Sequence, residues 1–245
     1  MLSIRNLYGG YGKITILNGA TADIHGSAIT TMIGPNGAGK STVFKAIFGL
    51  LDIHSGEIIF DGENIVGLSP AQLIARGISY VPQGRNVIPQ LSVYHNLELG
   101  GITADDQDKV KSRIDSVMDM FPALREHANR KAIELSGGQQ KQLEVARALL
   151  LDPKLLLIDE PSIGLSPNLV KEVFKTLQML RDNGVTVLMV EQNAKSALAV
   201  SDYGLVLELG QVRMHDTGDT LLNDPRVGHL FLGGHFEEES DPSPA

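Results

Sequence analysis

The sequence predicts an α/β domain built on a mostly parallel central sheet. Two continuous apolar runs, Leu155–Ile158 and Val185–Val190, are typical of parallel strands that are buried on both faces. A helical pattern from Asn168 to Asp182 separates them, which predicts the strand–helix–strand unit that joins parallel strands. The length of 245 residues suits one sizeable domain with a small subdomain.

Further strands and helices alternate on either side of this unit. Short runs of β-branched or alternating apolar residues predict strands, and apolar residues at helical spacing predict helices. Helices are expected after Thr42 and from Ser69-Pro70, where proline suits the first helical position. The other predicted strands are Leu2–Leu7, Ala28–Ile33, Gly56–Phe60, Gly77–Val81, and a hairpin of Leu205–Leu209 with Gln211–His215.

The character of the chain changes between Gly84 and about Leu150, where helical patterns follow one another with no strand between them. These patterns are Leu91–Leu99, Asp108–Met120 and Gln139–Leu150. We therefore expect a helical subdomain at about residues 84–150, inserted in a single domain that spans residues 1–235. The acidic end, residues 236–245, is expected to be disordered.

Composition excludes several classes of function. The net charge of −8 argues against broad binding to nucleic acid or to anionic membranes. The absence of cysteine excludes disulfides and zinc–thiolate sites. No run approaches the roughly 18–20 apolar residues that cross a bilayer, and the first residues do not resemble a secretory signal. We expect a soluble cytoplasmic protein that reaches a membrane only through partners.

The stretch GPNGAGKST matches the phosphate-binding pattern G-x-x-x-x-G-K-[ST]. Its glycines let backbone N–H groups face the phosphates, and the helix that follows adds its dipole. Lys40 is expected to reach the β- and γ-phosphates, and the Ser41 hydroxyl to bind Mg²⁺. The alternative, a glycine-rich turn with a surface lysine, is disfavoured by the flanking strand and helix. The predicted nucleotide-binding residues here are Gly34, Pro35, Asn36, Gly37, Ala38, Gly39, Lys40, Ser41 and Thr42.

The stretch LLLIDE places two adjacent carboxylates at the end of a buried strand. Because adjacent strand residues point in opposite directions, the two carboxylates are expected to have separate roles. Asp159 would hold Mg²⁺, and Glu160 would orient or deprotonate the attacking water. A solvated acidic turn is the alternative, and the nearby phosphate loop makes it the weaker interpretation.

The stretch LSGGQQKQLEVARALLLDP, from Leu135 to Pro153, predicts a capped helix. Ser136 is a good N-cap, and Pro153 lies just past the predicted end. A hydroxyl, free backbone N–H groups and a helix N-terminus together make a second anion-binding device. As structure alone, the stretch is only a capped helix.

LSGGQ between a phosphate loop and an acidic strand end resembles the ATP-binding subunits of ABC transporters. The resemblance implies a P-loop (RecA-like) ATPase core with a mostly parallel central sheet, an N-terminal antiparallel β portion and a helical subdomain. It implies ATP and Mg²⁺ as ligands, and two such domains that sandwich two ATP molecules. Tyr11 would stack on adenine, and Gln83 would sense the γ-phosphate and Mg²⁺. The residues that would contact the ATP of the opposite domain are Ser136, Gly137, Gly138 and Gln139.

The resemblance narrows to the branched-chain amino acid importers, and there to the smaller of two ATPases (LivF-like). Gln83 stands where some LivF-like chains carry glutamate, so the ATPases of urea and amide importers are also similar, and the solute stays open. The loop that begins at Ser162 lacks the aspartate that many ABC ATPases carry there. The segments that carry the resemblance are Tyr11–Leu17, Val81–Val87, Asp159–Pro167, Val190–Leu198 and His229–Gly234.

The segment LMVEQN places Gln192 where most ABC ATPases have histidine. Its NH₂ group can donate a similar hydrogen bond to the γ-phosphate, but it carries no charge and does not titrate. The alternative is a polar residue at a strand end that faces solvent. The residues expected to act in hydrolysis are therefore Glu160, Gln192 and Lys40, and the expected Mg²⁺ ligands are Ser41, Gln83 and Asp159.

The implied function is that of an ATP-hydrolysing motor subunit of an importer, peripheral on the inner face of the cell membrane. Its partners would be integral membrane permease subunits, which contact residues 84–100, and a second ABC ATPase (LivG-like) or a second copy. An external solute-binding protein would be linked indirectly, and no nucleic acid is expected. The alternatives are a half-size ATPase of a lipid or lipopolysaccharide exporter and a soluble ABC ATPase that acts on ribosomes or DNA. The acidic balance and the lone ATPase domain disfavour the second.

Overall fold

Two β-sheets, one mostly parallel and one antiparallel, organise the computed structural model, which describes residues 1–102 and 107–231. The strands are β1 Leu2–Tyr11, β2 Ile14–Ile24, β3 Ile29–Ile33, β4 Asp52–Phe60, β5 Glu63–Asn64, β6 Ile78–Val81, β7 Leu155–Asp159, β8 Thr186–Val190, β9 Tyr203–Glu208 and β10 Gln211–Thr217. The helices are α1 Lys40–Ile47, α2 Pro70–Ala75, α3 Val93–Gly100, α4 Gln107–Met120, α5 Pro122–Glu126, α6 Gly137–Leu149, α7 Pro167–Asp182, α8 Ala194–Leu198, α9 Gly218–Asn223 and α10 Pro225–Phe231, with a 3₁₀ turn at Ala132–Glu134.

The mostly parallel sheet has the strand order β10-β9-β3-β8-β7-β6, and its strands are parallel except at β10, which pairs antiparallel with β9. In the register, Val190 stands opposite Met32 on one side and opposite Asp159 on the other. Because carboxyl ends of neighbouring parallel strands meet at one edge, the segments after β3, β7 and β8 lie together. The predicted parallel sheet is confirmed, and this edge carries the candidate site.

The antiparallel sheet has the order β2-β1-β4-β5, as the resemblance implied for the N-terminal part. In β1, Leu2 and Ile4 are buried, as the alternation in the sequence predicts, and a register shift after Ile4 brings Leu7 to the buried side in place of Asn6. The strand continues past the predicted end to Tyr11 and pairs with β2, a strand of 11 residues that the sequence pattern did not predict.

The core lies on both faces of the parallel sheet. Along β7, Leu155 and Leu157 pack with the antiparallel sheet and α1. The alternate residues Leu156 and Ile158 pack with α6, α7 and the helices that precede them. This two-sided burial explains why β7 and β8 are continuous apolar runs. Within the described residues, no helix has the length and apolar character needed to cross a membrane.

The helices α3 to α6 all fall between β6 and β7, where the sequence predicted a helical insertion. Two of them begin at serine caps: the Ser92 side chain accepts the N–H of His95, and Ser136 caps α6 as predicted. The helix boundaries differ from the predicted ones by only a few residues. The extents of the domain and the subdomain stay predictions, and residues 236–245 lie outside the described residues.

Candidate functional site

The phosphate loop runs from the end of β3 to Lys40, the first residue of α1, and its backbone requires glycine. Gly39 has φ 101°, which is the left-handed region that favours glycine. A β-carbon on Gly34 would lie 2.1 Å from the Leu207 carbonyl oxygen, so no side chain fits there. The loop therefore takes the form that the motif predicted, a tight turn between a buried strand and a helix.

Lys40 curls back over this turn. Its Nζ donates to the carbonyl oxygens of Gly34 at 2.8 Å and Pro35 at 3.0 Å, and the residue is only 6% exposed. Burial lowers the pKa of the Lys40 ammonium, and the carboxylates of Glu160 and Asp159 oppose that shift. The structure thus brings the lysine of the first motif to the carboxylates of the second.

Asp159 is the last residue of β7 and is 2% exposed. The Tyr80 hydroxyl donates to its Oδ2 at 3.4 Å, while its Oδ1 is buried with no hydrogen-bond partner among the described residues. Burial raises the pKa of the Asp159 carboxyl, and hydrogen bonding by Ser41 and Tyr80 opposes that shift. The neighbouring Asp159 charge also contributes to a raised pKa of Tyr80, whose main cause is burial.

An unpartnered buried carboxylate oxygen close to a serine hydroxyl fits Mg²⁺, which prefers oxygen ligands. Among the described residues, no group of three His, Cys, Asp or Glu side chains is placed to hold a metal. Mg²⁺ usually keeps several waters and binds substrate phosphates beside one or two protein carboxylates. Asp159 and Ser41 therefore fit the ion, and their role as ligands stays a prediction.

Glu160 lies just past β7 and is 7% exposed, and its carboxylate accepts hydrogen bonds from two side-chain amides. Gln83 Nε2 donates to Glu160 Oε2 at 2.6 Å, and Gln192 Nε2 donates to Glu160 Oε1 at 2.9 Å. The carboxylates of Asp159 and Glu160 have different hydrogen-bond partners, although strand alternation is not the cause, and their separate roles stay a prediction. Glu160 is outside the strand with φ 46°, so a left-handed backbone turns its side chain toward the two glutamines.

The Gln192 side chain forms its hydrogen bond with a different partner from the one expected. The sequence predicted a hydrogen bond from the side-chain amide of Gln192 to the γ-phosphate, whereas here that amide donates to the Glu160 carboxylate. Both Gln192 and Gln83 are exposed while Glu160 is buried, so the amides cover the carboxylate from the solvent side. Gln192 therefore faces solvent, as the alternative interpretation had it, and still has a defined partner at the site.

The segment LSGGQ forms the start of α6 and closes on itself. Ser136 Oγ accepts the N–H of Gln139 at 3.3 Å, and Gln139 Oε1 accepts the N–H of Ser136 at 3.0 Å, a reciprocal capping pair. A β-carbon on Gly138 would lie 2.7 Å from the side chain of Leu169 in α7. Small residues thus let α7 approach the N-terminus of α6, and contact of these residues with a second ATP stays a prediction.

Tyr11 lies at the end of β1 and is 46% exposed. Lys45 Nζ, in α1, donates to the Tyr11 hydroxyl at 3.1 Å and lies 5.5 Å from the ring centroid. The ring is thus an exposed aromatic surface beside the helix that starts at the phosphate loop. This placement suits stacking on a base, and that role stays a prediction.

Sequence reasoning missed two residues of this site. Tyr80 lies in a predicted strand and has no motif, so nothing in the sequence marked its contact with Asp159. Glu191 is 1% exposed and accepts hydrogen bonds from the loop after Glu160. A carboxylate directly after a fully buried strand was the available signal for Glu191.

Comparison with known proteins identifies the family. Residues 17–163 match the family model described as ABC transporter. The chain is 43% identical over 234 residues to the high-affinity branched-chain amino acid transport ATP-binding protein BraG of Pseudomonas aeruginosa, which covers 96% of this chain and 100% of that protein. It is 41% identical to the probable branched-chain amino acid transport ATP-binding protein LivF of Archaeoglobus fulgidus, over 95% and 99% of the two chains. The lipopolysaccharide export ATP-binding protein LptB of Escherichia coli is 32% identical, over 96% and 98%.

Solved structures agree with the fold. An ATP-binding cassette of an ABC transporter in its ADP conformation matches with a TM-score of 0.87 and 28% identity, over 96% of this chain and 99% of that one. A dimeric ATP-binding cassette with ADP and phosphate bound, in a post-hydrolysis state, matches with a TM-score of 0.75 and 27% identity, over 91% and 100%. The resemblance drawn from the sequence is confirmed. The chain belongs to the ABC transporter family, as one of its ATP-binding and ATP-hydrolysing members.

Proposed function

We propose that this chain is the motor subunit of an ABC importer for branched-chain amino acids or a related small polar solute. The observation that carries the motor role is the buried Glu160 carboxylate, held by Gln83 and Gln192 at the strand edge that also bears the phosphate loop and Asp159. The relatives named for branched-chain amino acid transport, at 43% and 41% identity, support the solute class over the whole chain.

Hydrolysis at this edge follows from the placement of the side chains. The oxygen of a water molecule attacks the γ-phosphorus, the bond from that phosphorus to the bridging oxygen breaks, and ADP leaves. Glu160 accepts a proton from the water, and its two amide donors keep the carboxylate oriented toward it. Lys40 and the backbone N–H groups of the loop stabilise the charge that develops on the phosphates.

Mg²⁺ would be held by Ser41, Asp159 and Gln83, and when bound it would neutralise phosphate charge. The buried Oδ1 of Asp159, which has no hydrogen-bond partner among the described residues, supports Asp159 as a ligand of the ion. The amide of Gln83 has a donor, used on Glu160, and a carbonyl oxygen that can bind a cation. Gln83 would thus have two roles, as a ligand of Mg²⁺ through its carbonyl oxygen and as a donor to Glu160 through its amide nitrogen.

A link from Gln83 to the helical segment supports transmission of the nucleotide state. Side chains of α6 form hydrogen bonds to the residues that follow Gln83. Glu144 accepts the N–H of Asn86 at 2.6 Å, and Arg147 donates to the Asn86 carbonyl at 2.6 Å. Lys141 pairs with Glu144 at 2.5 Å and donates to the Gly84 carbonyl at 3.2 Å. A movement of Gln83 would therefore be passed to α6.

Permease subunits would contact the segment that follows Gln83, residues 84–100. A groove of about 330 Å³ between the parallel sheet and the helical segment supports this assignment; its lining includes Tyr80, Pro82, Asn86, Leu99 and Arg147. A second ABC ATPase (LivG-like) or a second copy would complete the sandwich, as the similarity to a dimeric cassette supports. The chain would then sit on the inner face of the membrane through its partners, with a solute-binding protein outside and no contact with nucleic acid.

An exporter of lipid or lipopolysaccharide is the second candidate, because LptB of Escherichia coli is 32% identical to this chain. The two candidates predict different partners. We would purify the chain from its own cells in mild detergent and identify what comes with it by mass spectrometry. Two multi-span permeases with a second ATPase, together with ATP-driven uptake of labelled leucine by vesicles, would support the importer. Recovery of lipopolysaccharide-export components without such a permease would overturn it.

Gln192 is expected to influence turnover through its hydrogen bond to Glu160. Gln192→Ala removes one donor from the carboxylate and should lower kcat about 10-fold, the equivalent of one hydrogen bond to a charged group. Gln192→His should retain or raise kcat, since an imidazole N–H can donate to the same oxygen and can carry charge. Steady-state ATPase rates of the three proteins test this.

The neighbouring amide provides a control for Gln192. Asn193 caps α8 by accepting the N–H of Ser196 at 3.1 Å, so Asn193→Ala should cost about 1 kcal/mol of stability and leave kcat unchanged. Equal rates for the wild type, Gln192→Ala and Gln192→His would show that Gln192 plays no part in turnover.

A further inference from the structure

A second buried carboxylate lies beside the site, on the residue before Gln192. Glu191 directly follows β8 and is 1% exposed. Its Oε1 accepts the backbone N–H of Ser162 at 2.8 Å, and its Oε2 accepts the Ser162 hydroxyl at 2.8 Å. Oε2 also accepts the N–H of Gln192 at 3.2 Å. Both oxygens are thus directed at neighbouring backbone and at one serine.

Ser162 belongs to the loop that leaves Glu160. The N–H of Ile163 donates to the Glu160 carbonyl at 3.2 Å, and the N–H of Leu165 donates to the Ser162 carbonyl at 3.2 Å. A β-carbon on Gly137 would lie 3.2 Å from the Leu165 side chain. The loop from Glu160 to Leu165 therefore joins the water-activating carboxylate to the N-terminus of α6.

Glu191 and Gln192 act on the two ends of one turn. Gln192 holds the carboxylate of Glu160, and Glu191 holds Ser162 two residues later. Glu160 has φ 46°, a conformation that a residue with a side chain keeps only when its surroundings impose it. Burial raises the pKa of the Glu191 carboxyl, and the donors on Ser162 and Gln192 oppose that shift because they stabilise its ionised form.

We propose that Glu191 is a positioning residue for ATP hydrolysis, which fixes Ser162 and so holds the turn in which Glu160 faces the attacking water. The proposal rests on the function proposed above for Glu160. Glu191 acts through the loop and not on the reacting atoms. Its loss should therefore lower turnover while ATP binding is retained.

The test uses the full chain with its co-purified partners, and measures kcat together with the Kd of a fluorescent ATP analogue. Glu191→Ala should lower kcat about 10-fold with Kd within about twofold, since it removes the acceptor of both hydrogen bonds that Ser162 donates and of one from the Gln192 N–H. Glu191→Gln keeps a carbonyl for the Ser162 N–H and should recover part of the rate. Ser162→Ala should lower kcat by a smaller factor than Glu191→Ala, and the double variant should have the same kcat as Glu191→Ala alone. Ser162→Thr keeps the hydroxyl and should stay active.

A matched control is available at the opposite end of β8. Thr186 is buried, and its hydroxyl accepts the N–H of Ser27 at 2.9 Å. Thr186→Val should lower the melting temperature and leave kcat unchanged, which separates positioning from stability. The proposal is overturned if Glu191→Ala loses kcat only in step with its melting temperature, or if the Ser162→Ala effect is fully additive with it.

The two proposals fail in different ways. An active Glu160→Gln variant would overturn the role proposed for Glu160 itself. An unchanged kcat in Glu191→Ala, measured beside an inactive Glu160→Gln, would overturn the positioning role of Glu191 alone.

Discussion

Glu160→Gln is expected to bind ATP and to stop hydrolysing it. The substitution keeps the size of the side chain and one carbonyl acceptor for the amides of Gln83 and Gln192, so the buried site should stay folded. It removes the group that accepts the proton of the attacking water, and general-base catalysis is worth about 100-fold or more in kcat. We expect kcat to fall by at least that factor, while the Kd of ATP changes by no more than about threefold.

Single-turnover hydrolysis and equilibrium binding of an ATP analogue provide the measurement, with exposed Glu172 as the control. Glu172→Gln makes the same chemical change on the surface of α7 and should leave both quantities as in the wild type. If ATP is bound but not cleaved, the ATP-bound sandwich should also persist, so dimers should accumulate on a sizing column. A Glu160→Gln variant that hydrolyses ATP within about fivefold of the wild-type rate would contradict the assigned base, because a general base contributes more than that.

The parts of the fold that the sequence predicted are those in which burial imposes a simple pattern. β7 and β8 are covered on both faces and are therefore continuous apolar runs. β2 pairs with β1 through several register shifts, so its buried residues do not follow a strict alternation: Leu17 and Ala20, both buried, are three residues apart. Short helices such as α8 have too few turns for a periodic pattern to emerge.

The candidate site divides in the same way. The phosphate loop is local in sequence, because a backbone turn onto a helix N-terminus needs its glycines and lysine in consecutive order. The amide contacts on Glu160 are not local: Gln83 lies 77 residues before it and Gln192 lies 32 residues after it. Only the order of the strands brings them together. The left-handed backbone of Glu160 also has no sequence signature, so its turn away from Asp159 was predicted for the wrong reason.

Lys40→Met is expected to weaken ATP binding strongly. Methionine keeps much of the apolar stem, and the substitution removes the charge that would pair with two phosphates. Hydrogen bonds to charged groups are worth about 1.5–3 kcal/mol each, so the loss of two should weaken binding about 100-fold or more. In the free protein, Lys40 already donates to the carbonyls of Gly34 and Pro35, so ATP must replace these bonds, and the net loss should be near the lower bound.

The stability of the protein should change little in Lys40→Met, because two opposing effects offset each other. Lys40 is buried at a desolvation cost, which is what lowers the pKa of its ammonium, and methionine relieves that cost. The carbonyls of Gly34 and Pro35 lose their donor, and the carboxylates of Glu160 and Asp159 lose a nearby cation, so these terms offset the gain. We therefore expect the melting temperature to change little while the Kd rises steeply. Lys111, which is 69% exposed on α4, provides the control: Lys111→Met should alter neither quantity, and a Lys40→Met variant that binds ATP within about threefold of the wild type would show that the phosphates do not rely on this lysine.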